Sequence, residues 1–224
     1  MHMPNMPSRK NITLLIVFIL TTACFFLAFI LQSGLPGGEN TLIERHEFIQ
    51  THLISWQLGW LNWMLGALGL LTFCILLLPF IPKSEWRLLG ILLVGLGIVP
   101  DIAAEIIFAF VIPHTHYIDP SLATMQLLEL IAIQLTGTLG NGLYNIGGLL
   151  LNLLLLKNPS LPRKIILLGI PGWFLGFGLS IATALQQFEW VKLFTGMGMV
   201  WSTTWMFVIA VKIFPNTQGY KVDY

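Results

Sequence analysis

Charge is what this chain has least of. Only 9% of its residues are Asp, Glu, Lys or Arg, 56% are hydrophobic, and the formal net charge is +1. Soluble domains carry about a quarter charged residues, so a water-soluble fold is excluded, and no basic surface suited to nucleic acid remains. Cysteine is scarce as well: Cys24 and Cys74 lie inside apolar runs with no CxxC, which argues against a disulfide framework and leaves two packing residues. There is no Gly-x-Ser-x-Gly elbow, no Walker A, no GxGxxG, no HExxH and no lysine deep in an apolar run for a Schiff base. Nucleophilic hydrolysis is therefore unsupported, and no cofactor and no resident metal are expected. The alternating pattern of an outer-membrane barrel is missing too.

Long continuous apolar runs are what the chain has instead, with a mean hydropathy of +0.82. A helix needs about 20 apolar residues to cross a bilayer. Six runs meet that need, over residues 11–31, 54–80, 86–112, 122–156, 164–187 and 190–214. They predict an all-α polytopic integral membrane protein, one domain over residues 1–224, with membrane lipid as its surroundings and the cell membrane, inner or plasma, as its location. The first run follows "PSRK" but is too long for a signal peptide, and "LQSGLPGG" after it reads as a loop, not a cleavage site. The fourth is long enough to tilt or to extend beyond the bilayer.

Basic residues set the orientation. With the N-terminus inside, Arg9, Lys10, Lys83, Arg87, Lys157, Arg163, Lys164, Lys212 and Lys221 are cytoplasmic, nine of the eleven, and only Arg45 and Lys192 are external. The positive-inside rule then gives both termini inside, as an even number of spans requires. The longest external connection, 32–53, holds "GLPGGEN", a turn, and "TLIERHEFIQTH", a short amphipathic helix expected to rest on the headgroups.

Three carboxyls are placed by no loop: Asp101, Glu105 and Glu129. In "PDIAAEIIF" the first two are four apart and share a helix face. Glu129 enters the fourth run at a depth similar to Glu105, so the three are expected to converge in the outer half. No lysine or arginine lies at that depth to pair with them, which leaves protonation, a shared proton or a water-filled cavity. Groups of this kind hold and move protons, and the three are the candidate acid–base residues.

The fourth run also carries a polar and small stripe of Gln126, Gln134, Gly137, Asn141, Tyr144, Asn145, Gly148 and Asn152. Helix packing accounts for its glycines and competes with a chamber lining for its amides. In "HLISWQLGWLNWMLG" the candidates are Trp56, Trp60, Asn62 and Trp63; Trp63 is too deep for an interfacial belt and, with Trp201 and Trp205, is expected to wall an aromatic cavity. His114 and His116 in "PHTHYIDP" form an external His-x-His pair, read as a titrating rim because no further ligand signature accompanies it.

Three functions fit. The first is binding or transport of a small amphipathic, lipid-like or cationic molecule in an acid-lined aromatic cavity. In layout alone, six spans with a covering first loop resemble the small substrate-capture subunits of vitamin importers. The second is intramembrane acid catalysis on a lipid or isoprenoid, similar in chemistry to membrane sterol isomerases and terpene cyclases. The third is a structural assembly factor whose polar stripe is a contact surface. Oligomeric state is not written in the chain.

Overall fold

The computed structural model describes residues 8–214, so Lys221 of the orientation count lies outside the described residues. Those residues form helices and connecting turns, with no strand among them. Five helical segments are long and apolar enough to cross a membrane: Arg9–Ile30, Leu53–Phe80, Glu85–Tyr117, Arg163–Ala184 and Phe188–Lys212. They match the expected runs to within a few residues at most ends.

The fourth run departs from expectation. It is helical from Ala123 to Leu155, but a seven-residue π-helical stretch, Gln134–Gly140, divides it into helix α5 (Ala123–Ile133) and helix α6 (Asn141–Leu155). Neither part alone spans about 30 Å of hydrocarbon. The cause is local: Thr136, Gly137, Thr138 and Gly140 are weak helix formers, and side chains compete for the backbone. Asn141 Nδ2 donates to the Thr136 carbonyl at 3.0 Å, and Thr138 donates to the Gln134 side chain at 2.7 Å.

The remaining helices are α1 (Arg9–Phe25), α2 (Leu42–Thr51), α3 (Leu53–Leu77), α4 (Glu85–Ile106), α7 (Arg163–Ala184) and α8 (Phe188–Lys212). Ser8 caps α1 and Ser84 caps α4 through their hydroxyls, and Thr41 and Glu44 close a capping box on α2. The long helices pack as a ring in chain order, α1 on α3, α3 on α4, α4 on α6, α6 on α7 and α7 on α8, and α8 closes the ring on α1.

Small residues let the helices approach. On α3, Gly69 and Gly66 receive Ile16 and Leu20 of the first segment, and Gly59 receives Leu31 just after it. Between α4 and α6 the backbones touch: a Cβ built at Gly97 would sit 2.7 Å from the Gly140 carbonyl oxygen, and one at Gly147 would sit 2.5 Å from that of Gly90.

Two apolar clusters result. One, which includes Phe73, Trp173, Trp205 and Ile209, draws on all six ring helices. The other, at the end carrying α2, holds Leu31, Ile49, Trp56, Trp60, Phe108 and Met125. The exterior is apolar as well, with Phe18, Phe29, Ile54, Val99 and Val200 each more than 60% exposed, as a lipid-facing surface requires.

Candidate functional site

The site is assembled at the α2 end by α4. This helix runs through Pro100 and puts Asp101, Glu105 and Phe108 on one face, and beyond Ile106 it loosens into a π turn over Ile107–Val111. Such turns free backbone carbonyls and concentrate at functional sites. Here the Phe108 carbonyl accepts a 2.6 Å hydrogen bond from Trp56 Nε1. Trp60, one turn further along α3, stacks on the Phe108 ring with centroids 4.4 Å apart and planes 5° from parallel.

The three carboxyls have three different surroundings. Asp101 is buried and accepts a short hydrogen bond from the Thr136 hydroxyl in the π stretch opposite. Glu105 is 0% exposed, interacts electrostatically with Asp101, and has no hydrogen-bond partner for either oxygen. Glu129 is paired: Arg45 of α2 donates to it through Nη2 at 2.6 Å and Nε at 3.3 Å.

The pairing corrects the expectation that no arginine reaches these depths. It also corrects the placing of α2 on the headgroups. Helix α2 docks on the protein with Arg45, His46, Ile49 and Gln50 underneath; Ile49 is buried and Gln50 Nε2 donates to the Pro113 carbonyl. Arg45 has the reach and the planar fork for a partly buried carboxylate. Asp101 and Glu105 are brought together, while Glu129 is committed elsewhere.

The aromatic and amide candidates divide between the two clusters. Trp56 and Trp60 pack beside the Glu105 face, and Trp63 is partly buried in the same cluster. Trp205 lies in the other cluster, edge-on to Phe73 and Trp173, and its Nε1 donates to the Ile165 carbonyl at 2.9 Å. Trp201 donates to the Leu168 carbonyl at the α7–α8 seam. The structure thus does not bring Trp63 together with Trp201 and Trp205.

Asn62 bonds Thr22 across to α1. Tyr144 packs against Gly97, Asn145 lies over Gly176, Asn152 donates to the Ile166 carbonyl, and Asn141 donates to the Thr136 carbonyl in the π stretch before it. Helix packing therefore accounts for most of the polar stripe.

His114 is exposed, and His116 faces His46 of α2 with ring centroids 5.0 Å apart. Among the described residues no group of three or more His, Cys, Asp or Glu side chains is placed to hold a metal ion. A cavity of about 400 Å³ lined by Leu78, Arg87 and Ile91 opens at the opposite end, remote from the carboxyls.

Reading the residues in order misses Arg45, Thr136 and Phe108. Phe108 was within reach, three residues from Glu105 on the same face. Comparison with protein families, with curated proteins and with solved structures finds no match to this chain.

Proposed function

We propose that this is a six-span cell-membrane protein, with both termini inside and the α2 end outside, that binds or transports a small cationic amphipathic molecule with Glu105 as its polar anchor. The observation that carries this reading is the Glu105 carboxyl, enclosed with both oxygens unpartnered. Unmatched groups of that kind are costly in hydrocarbon and mark functional sites. A ligand cation supplies the missing partner, and a proton leaves the carboxyl as the cation arrives. The stacked Trp60–Phe108 pair offers an aromatic surface beside the charge. Trp60 Nε1 is itself buried without an acceptor, so a ligand oxygen next to the amine gains a second contact.

The six-span count treats Ala123–Leu155 as one crossing, because α5, the π stretch and α6 follow each other without a break. In that topology Lys83, Arg87, Lys157 and Arg163 flank the inner ends of the helices, as the positive-inside rule requires. Acid catalysis on an isoprenoid is the second reading. The same aromatic pair favours it, since a ring face one turn from an acid stabilises a carbocation.

The test uses the full chain in lipid nanodiscs with 2-phenylethylamine as probe. Saturable binding at pH 7.5, weakened at least about tenfold in Glu105→Gln and retained in Glu105→Asp, is expected for a charge-anchored site. Equal binding by wild type and Glu105→Gln overturns it. Turnover of a prenyl alcohol that depends on Glu105, with no amine binding, moves the assignment to the enzyme.

A further inference from the structure

Glu105 is closed off, so a ligand reaches it only if something at the α2 end moves. Helix α2 packs on this end, with Ile49 in the cluster that holds Trp56, Trp60 and Phe108. Its underside makes three specific contacts: Arg45 with Glu129 of α5, Gln50 with the Pro113 carbonyl, and His46 with His116 of the 112–117 turn. The first is an ion pair with two hydrogen bonds and the second a hydrogen bond, so both are attractive. The third is not.

Each histidine buries Nδ1 with no hydrogen-bond partner. A pair of rings so close tolerates neutral imidazoles and resists two imidazolium ions. We propose that α2 is an acid-released gate over the carboxyl site, opened when His46 takes up a proton in its contact with His116. This rests on the binding reading for what the gate admits, and on contacts of α2 alone for how it works.

The charged groups around the pair support that direction. On α2 itself, Glu47 partly offsets the repulsion, and the charge of Arg45, one residue away, is committed to Glu129. From the 112–117 turn come His116 and the Tyr117 ring, whose centroid is 3.8 Å from that of His116. From α5 comes Glu129, whose charge Arg45 already neutralises. The Gln32–Gly34 turn brings no ionisable group, and on the α3 side His52 stacks on Phe48 instead.

Burial and the charge on His116 both hold His46 below the ordinary histidine value of 6.5. Once α2 lifts, His46 returns to its ordinary value and binds its proton more tightly than in the closed form. The sign follows: the closed form keeps its full stability above the ordinary value and loses it as pH falls through that value toward the lowered one. Acid outside the cell therefore opens the gate.

Hydrogen exchange of the full chain in nanodiscs tests this, with protection corrected for the pH dependence of the chemical exchange rate. Protection over residues 42–51 is expected to fall about tenfold between pH 7.5 and pH 5, while α4 and α6 stay protected. In His46→Gln/His116→Gln the fall should shrink below about threefold. PH-independent protection in the wild type overturns the gate, and so does an equal fall in the double variant. At pH 7.5 the gate still opens transiently, so closure slows amine entry without abolishing equilibrium binding; binding at that pH tests the ligand site, the exchange profile tests the gate, and the two fail separately.

Discussion

Arg45 and Glu129, 84 residues apart in the chain, meet through two hydrogen bonds, and the side chains are only 12% and 4% exposed. This contact turns a connecting segment into a cover. It also removes one carboxyl from the trio that the chain suggests, leaving Asp101 and Glu105 to define the site.

A double-mutant cycle on this pair should give a coupling energy of about 1–3 kcal/mol, because each single substitution strands its partner in a partly dry setting. Arg45→Gln, Glu129→Gln and the double variant are compared by denaturation in a mild detergent. Additive losses would mean that the pair is solvated and that α2 is held by Ile49 and Gln50 alone.

Thr136 gives Asp101 its hydrogen bond from the π stretch. Thr136→Val keeps the shape and removes the donor, and should cost about 1–3 kcal/mol, the penalty for an unsatisfied buried group. Thr136→Ser should recover most of that loss. A neutral Thr136→Val would show that water serves Asp101 equally well.

The α4–α6 contact gives a sharper contrast. Gly97→Ala forces a methyl into the opposing backbone and is expected to destabilise by about 1–3 kcal/mol. Gly95, two residues earlier on the same helix, has open space where a Cβ would go. Gly95→Ala should stabilise by about 0.5–1 kcal/mol, since alanine is the better helix former. Thermal denaturation of the two variants settles the order, and the reverse ranking would contradict the close approach.

Asp119 organises the turn before α5. Its carboxyl accepts from Ser121 and Thr124, bonds that hold its pKa down at about 2. A depressed acid stabilises above its unfolded value and loses that contribution as pH falls toward the folded one. The turn should therefore hold at pH 4.5 and loosen near pH 2, read as faster hydrogen exchange over residues 119–124. In Asp119→Asn that acid step should vanish.

The spans were legible because continuous apolar length is a one-dimensional property. The fourth run shows the limit: its length was plain, but its division at Gln134–Gly140 depends on Asn141 and the threonines turning onto their own backbone. Asp101 and Glu105 were legible as a pair because four residues is one helical turn. Arg45–Glu129 was not, since nothing in "TLIERHEFIQTH" says that this helix folds down onto α5 instead of resting on lipid. The tryptophans were misleading as well: Trp63 and Trp205 look alike in composition, but Trp63 lies nearer the α2 end of its helix than Trp205 does along α8, and that difference in depth puts them in different clusters.

The most direct measurement of the central claim is the infrared difference spectrum on adding 2-phenylethylamine to the full chain in nanodiscs at pH 7.5, for wild type and Glu105→Gln. The account predicts that a protonated carboxyl C=O stretch disappears and carboxylate bands grow in the wild type, and that both changes are missing in Glu105→Gln. A wild-type spectrum with no carboxyl change on saturating amine, or the same change in Glu105→Gln, would contradict Glu105 as the anchor.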